Sequence, residues 1–325
     1  MHWSKLVRKV LKIEVVEHVL EEELKRVICS AFGVGGFEYS VFEGTPSVHQ
    51  KITIQVWKGE KILGYVKLTD SEEVGRLFER EASFLKYVNS QRSTVNGRSS
   101  GFDLSHTEEK NPEGVTESLP EAVALRLESG SWILIQSTRK TLRSRAVHEW
   151  GALQEDFLRR LYDATAREIV WEESDVAQAL RDLHGHVDWL PDGVDGEMVA
   201  RRIDAVMERM VGKRVMYGAY HGDFTPWNMF VEGGELFVFD WEYAGRTYPM
   251  GLDRYHFWMQ TALFEKHWGV AELKRYMGSA EGTWIDREML EMYLLDVMSK
   301  YVMREGGKVK ELGMFGVWGG MVKGK

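Results

Sequence analysis

The chain has 325 residues, 44% hydrophobic and 28% charged, which is enough apolar material for one large or two closely packed domains of globular composition. Its 42 lysines and arginines against 50 aspartates and glutamates give a formal net charge of −8, which argues against a general nucleic-acid binder, since that would carry a basic excess. No apolar run approaches the ~18 residues of a membrane-spanning helix, no signal peptide is visible, and the single Cys29 cannot form an internal disulfide or a cysteine-rich zinc site, so a reducing, cytoplasmic compartment is expected.

The stretch Trp3 to Ile28 predicts a helix, because Val16, Leu20, Leu24, Val27 and Ile28 recur at helical spacing before Gly33, Gly35 and Gly36 stop it. Its start sets Lys5, Arg8, Lys9 and Lys12 against Trp3, Leu6, Val7 and Val10. That pattern suits a membrane surface and, more readily, a helix packed on a domain. Residues 1–36 are therefore read as an N-terminal helical segment. Three strands follow as a meander, Phe37 to Glu43, Gln50 to Trp57 and Ile62 to Leu68, and then a helix over 72–88. Ser90 to Glu117 is polar and reads as a long loop. Strands over 122–128 and 132–138 complete the first part, 37–140. From Val147 the pattern is mostly helical, interrupted by Tyr220 to Asp240, which makes 141–325 the second part. The expected fold class is α+β: a small antiparallel sheet with one helix, then a larger helical part, with a ligand cleft between them.

The most informative segment runs from His221-Gly222-Asp223 through Asn228 to Asp240-Trp241-Glu242. Gly233-Gly234 between two apolar runs predicts a two-residue hairpin turn, with Glu232 facing Glu235 and Asn228 facing Phe239. Asn228 and Asp240, twelve positions apart, are thereby brought together, with Asp223 in the loop that enters the hairpin. An amide oxygen and a carboxylate at a strand end suit magnesium, and a second carboxylate suits a general base. Asp-x-x-x-x-Asn, a strand and another Asp is the arrangement of protein-kinase phosphoryl transfer.

The residues His221 to Asn228 with Phe239 to Glu242 resemble the aminoglycoside phosphotransferase and choline kinase superfamily. The helix end AQALRDLH at His184 and the segment YPMGLD at Asp253 resemble it too. The resemblance covers roughly Phe37 to Trp258. It implies a protein-kinase-like fold and transfer of the γ-phosphate of ATP to a hydroxyl of a small molecule, with Mg2+ on Asn228 and Asp240 and with Asp223 taking the hydroxyl proton. It also implies a nucleotide-binding Lys on the third strand and a Glu on the next helix. Periodicity points to the same pair independently. Glu81 falls on the apolar stripe of Val74, Leu77, Phe78, Leu85 and Val88, where a carboxylate needs a partner, and Lys67 interrupts an apolar strand. Gly44 to Gln50, with Ser47, is the expected phosphate-covering loop, whereas Gly33 to Gly36 reads as a helix stop. Gln136 and Ser137 fall where the family contacts adenine.

His184 reads as a structural helix end, His221 as a brace for the loop, and Asp253 as a cap that steadies it. Glu242, Tyr243 and Arg246 are expected beside the metal end, where the acceptor binds. WEYAG resembles the choline kinase version, and Trp150, Trp171, Trp189, Trp258, Trp268 and Trp284 offer a cage for a quaternary ammonium. Gly222, however, departs from the Asn usual in choline kinases and fits the sugar- and aminoglycoside-directed branch. A sugar, aminoglycoside-like or glycan-precursor acceptor is the preferred reading. A choline or ethanolamine kinase, a nucleotide-binding pseudokinase scaffold and a protein kinase are the competitors.

Overall fold

The computed structural model describes residues 20–43, 51–91, 118–306 and 313–323. The start of the N-terminal helical segment, the Gly44 to Gln50 loop with Ser47, and nearly all of the 90–117 loop lie outside the described residues. The described chain opens with α1 (Glu22–Phe32), which Gly33 ends in the left-handed region at φ +63°. The helix continues past Ile28, because Phe32 sits one turn beyond it on the same apolar face.

A five-stranded antiparallel sheet follows: β1 (Glu38–Glu43), β2 (Ile52–Lys58), β3 (Lys61–Thr69), then, after α2 (Glu72–Ser90), β4 (Ala122–Arg126) and β5 (Trp132–Ser137). The spatial order is β1-β2-β3-β5-β4, so β3 is central and Lys67 stands opposite Thr53 on one side and Leu134 on the other. Helices cover both faces. Leu24, Ile28 and Phe32 of α1 pack with Ile54, Val56, Val66 and Ile135, while Val74 and Phe78 of α2 pack on Leu134 and Trp132. Side chains alternate along a strand, so Val66 turns to α1 and Lys67 to α2. Ser71 begins α2 by accepting the Val74 N–H at 3.4 Å, and Glu81 lies among that helix's buried residues.

The remainder comprises β6 (Arg145–Ala146), α3 (Ala152–Thr165), β7 (Arg167–Val170), α4 (Asp175–Gly185), α5 (Gly196–Met210), β8 (Arg214–Tyr220), β9 (Met229–Glu232), β10 (Glu235–Val238), β11 (Gly245–Tyr248), α6 (Leu252–Gln260), α7 (Val270–Met277), α8 (Arg287–Glu305) and α9 (Gly313–Val322). Two three-stranded sheets, β10-β9-β6 and β11-β8-β7, are set among these helices. The second sheet is absent from the sequence reading, because β7 and β11 have four residues each and, unlike β9 and β10, no two-residue glycine turn joins them to a partner. The main helical core gathers Leu180 and Leu183 of α4 with Tyr293, Leu295 and Val297 of α8. A separate cluster joins the two parts: Phe84 and Leu85 of α2 pack with Phe157 of α3 and with Phe224 and Trp241. Trp241 stacks on Phe84 at 5.3 Å between ring centroids.

Ile28 is fully buried between α1 and the sheet, whereas Leu142 is 96% exposed. Ile28→Ala should lower unfolding stability by roughly 2–4 kcal/mol, the usual cost of a large core truncation, and Leu142→Ala by less than about 0.5 kcal/mol. Urea unfolding of both variants checks this, and equal small effects would mean that α1 is not part of the cooperative core.

Candidate active site

The β9–β10 hairpin turns at Gly233 and Gly234, both at positive φ, as a two-residue turn of this twist requires. Glu232 pairs with Glu235 and Met229 with Val238, and the Phe239 N–H donates to the Asn228 carbonyl at 3.0 Å. Asn228 and Phe239 are thus neighbours, as the spacing predicts. Asp240 then leaves the ladder at φ +67°, an uncommon conformation for a residue with a side chain.

Lys67 lies between two carboxylates, with Nζ 3.1 Å from Glu81 Oε2 and 2.9 Å from Asp240 Oδ1. Glu81, 1% exposed, accepts two further hydrogen bonds on Oε1, from Gln136 Nε2 at 2.8 Å and from the Trp241 N–H at 2.9 Å. Burial alone would lower the Lys67 pKa, but Asp240 and Glu81 more than offset it and hold the ammonium charged. Burial likewise works against the Asp240 carboxylate, and the cations of Lys67 and Lys51 pull its pKa well below the ordinary range. Lys51 pairs with Glu242 at 2.7 Å and so ties the start of β2 to the segment after Asp240.

Asp223 is held from several sides. The Asn228 side-chain amide donates to its Oδ2 at 2.7 Å and to its backbone carbonyl at 3.0 Å. Oδ1 accepts from His256 Nε2 at 2.9 Å, and His256 Nδ1 lies 3.3 Å from the Tyr293 hydroxyl. Burial opposes the Asp223 charge, yet the His256 hydrogen bond outweighs it and the pKa falls below its ordinary value. His221 braces the loop: Nε2–H donates to the Phe239 carbonyl at 3.1 Å, and Nδ1 accepts the Asp223 N–H at 3.1 Å. Both bonds suit the neutral ring, and burial pushes its pKa down to about 4. Asp253 accepts the N–H groups of His221 and Gly222 at 2.9 and 3.0 Å. It steadies the loop without capping α6, whose first residue follows Gly251. Burial pushes the Asp253 pKa up to about 7, against those two donors.

Gly222 sits at φ +82°, and a Cβ there would come within 2.4 Å of the Tyr243 carbonyl oxygen. Asn tolerates a positive φ but still carries that Cβ, so this backbone admits glycine alone. Beside it opens a cavity of about 100 Å³ lined by Asp223, Glu242, Tyr243, His256, Lys300 and Arg304 among others. Glu242 and Tyr243, expected near the acceptor, line this cavity. Arg246 does not: its guanidinium lies over the Tyr87 ring at 4.6 Å and donates to Ser83 at 3.2 Å, because β11 carries it back toward α2. The Gln136 side chain is committed to Glu81, and Ser137 is bonded through its N–H and Oγ to Glu121. His184 pairs with Asp204 at 3.2 Å. None of the six tryptophans singled out for a cage lines the cavity; Trp171 is fully buried, and Trp258 packs on Tyr276 and Trp284.

Among the residues near the site that escape the sequence reading are Lys51, His256, Tyr301, Lys300 and Arg304. For the last two a signal exists, since Tyr293, Asp296, Lys300 and Arg304 repeat every three or four residues along α8 and form a polar stripe in an apolar helix.

The two opposed shifts on the loop give a pH prediction. Between about pH 6.5 and 4 an unfolded His221 takes up a proton that the folded ring refuses, so its contribution to stability falls as pH drops. Asp253, raised to about 7, works the other way, because the folded form takes the proton first. His221→Gln keeps a donor and an acceptor but does not titrate. Its stability relative to wild type should therefore rise by about 3 kcal/mol as pH falls from 6.5 to 4. Urea midpoints across that range test it, and a difference independent of pH would refute it.

The phosphotransferase enzyme family model matches residues 70–287. Among solved structures the chain is similar to a thermostable mutant of aminoglycoside phosphotransferase APH(4)-Ia in a ternary complex with AMP-PNP and hygromycin B. The TM-score is 0.55 and the identity 13%, covering 93% of this chain and 98% of that one. The apo form of a thermostable mutant of that enzyme gives a TM-score of 0.53 at 12% identity, over 92% and 98% of the two chains. Choline kinase LicA from Streptococcus pneumoniae gives 0.48 at 15% identity, over 93% and 96%. No curated protein matches. At these identities the likeness to the two aminoglycoside phosphotransferase structures speaks for the fold, α+β and protein-kinase-like. The family match spans well over half of the chain and takes in Glu81, Asp223, Asn228 and Asp240, and the chain belongs to the phosphotransferase enzyme family as a small-molecule phosphotransferase.

Proposed function

We propose that this phosphotransferase moves the γ-phosphate of ATP to a hydroxyl of a small polyhydroxylated acceptor, a sugar or glycan precursor. The observation that carries the reading is the convergence of Lys67, Glu81 and Asp240 with the Asp223–Asn228 loop, four segments meeting at one cleft. In this reading the sheet part binds nucleotide and the helical part, 141–325, binds the acceptor. Lys67 spends two N–H bonds on Glu81 and Asp240, which leaves a third for a phosphate oxygen. The acceptor oxygen forms a bond to the γ-phosphorus as the bond to the bridging oxygen breaks, ADP leaves, and the acceptor proton passes to Asp223. The transition state is loose, so a weakly basic but rigidly held carboxylate suffices to orient the hydroxyl.

The donor set also suits magnesium. The Asn228 amide nitrogen is spent on Asp223, which leaves its side-chain oxygen, and Asp240 engages Lys67 through Oδ1, which leaves Oδ2. Both are hard oxygens, and Asp240 stays ionised. Asn228 and Asp240 would hold the ion, which when bound neutralises charge on the phosphates. For the quaternary-ammonium alternative the cavity offers the rings of Tyr243 and Tyr301 and none of the six tryptophans.

Release of ADP against a panel of hydroxylated metabolites tests the reading, and ATP binding without turnover of any acceptor would favour a pseudokinase. Asp223→Asn should keep magnesium–nucleotide binding while kcat and kcat/KM fall together by ~10²-fold or more. Loss of nucleotide binding in that variant would instead move Asp223 into the metal site. Asp240→Ala should abolish metal-dependent nucleotide binding, measured by titration calorimetry with and without Mg2+; undiminished turnover would remove its metal role.

A further inference from the structure

The charges around the cavity are unevenly satisfied. Asp223 is engaged by His256 and Asn228, and Glu242 by Lys51 at 2.7 Å. Lys300 is neutralised by the fully buried Asp296 at 2.8 Å, donates to the Tyr220 hydroxyl at 2.8 Å and reaches the Gly222 carbonyl at 3.4 Å. It therefore props the loop and has little left for a ligand. Arg304 differs. One Nη1 hydrogen goes to the Tyr243 hydroxyl, and Glu305 forms a loose ion pair with Nε at 3.6 Å, too long for a hydrogen bond. Nε itself is buried without a hydrogen-bond partner.

A guanidinium with most of its five donors unspent, in a concave site beside the proposed phosphoryl acceptor position, matches a planar or tetrahedral oxyanion. A cationic acceptor would need a carboxylate to spare, but Glu242 is paired with Lys51 and Asp223 is the group that faces the hydroxyl. We infer that the acceptor is a hydroxylated anion, which presents a carboxylate or a phosphate ester to Arg304 while its hydroxyl faces Asp223. This rests on the phosphotransfer reading above and narrows it from polyols in general to sugar acids, hydroxy acids or sugar phosphates.

The test uses matched acceptors: glucose, glucosamine, gluconate and glucose 6-phosphate, with glycerol, serinol, glycerate and glycerol phosphate as three-carbon counterparts. Each is measured by ADP release and by calorimetric binding to the full chain. An acidic member should exceed its neutral and amine counterparts by about tenfold or more, the scale of one charge-assisted pair. The carboxylate and phosphate arms then distinguish the two anions. In Arg304→Gln that preference should collapse toward one at an unchanged melting temperature, and Arg304→Lys, which keeps the charge without the fork, should retain part of it. Preference for a neutral or amine member, an unchanged ratio in Arg304→Gln, or no binding of any acidic member overturns the inference. Turnover of amine acceptors would leave phosphotransfer standing and sink the anion site. Anion binding through Arg304 with no ADP release from any member would do the reverse.

Discussion

An ionised carboxylate out of reach of water must be met by cations and N–H groups or it destabilises the fold. Glu81 meets that demand with three donors from three places: Lys67 on β3, Gln136 on β5 and the backbone N–H of Trp241 after β10. Satisfying one buried charge therefore fixes the sheet, α2 and the Asp240 segment relative to one another. It also sets Lys67, which cannot leave Glu81 without stranding it. Two negative groups then share one ammonium, and the second, Asp240, belongs to the hairpin that carries Asn228.

The Asp223 loop is organised by different means. Its backbone N–H groups are taken up by Asp253 and His221, and its carboxylate by His256 and Asn228. The partners come from α6, from the loop itself and from the residue before β9, all in the helical part. The two halves of the site thus have separate supports, a buried ion network on the sheet side and a set of helix-borne clamps on the other. They meet in the aromatic cluster of Phe84, Phe157, Phe224 and Trp241.

Much of this was legible in the sequence where the relation was local or periodic. The Gly233-Gly234 turn sets the register of its hairpin, so Asn228 and Asp240 follow from counting residues. A lysine in an apolar strand and a glutamate on an apolar helical stripe announce a pair fourteen residues apart. His256 gives no such sign, because its partner Asp223 is thirty-three residues away and only the packing of α6 brings them together. Arg246 shows the opposite error, since nearness in sequence to Glu242 suggested nearness in space and β11 turned it elsewhere. Nor did α1 announce its place over the sheet, which depends on the pattern of β2, β3 and β5 as much as on its own.

The residue after Asp240 has a consequence for motion. Trp241 is fully buried, stacked on Phe84, 4.4 Å from the His221 ring, and bonded through its backbone to Glu81 and through its indole to the Val238 carbonyl. On the other side, Phe239 is held at both backbone groups, by Asn228 and His221. Asp240 is pinned between two fixed neighbours in a backbone conformation that has no slack. Swinging it out would mean extracting an indole from the core, a cost of about 3–5 kcal/mol before any hydrogen bond is counted. A switch that works by everting this segment would have to supply that free energy from a ligand or partner that binds the everted form.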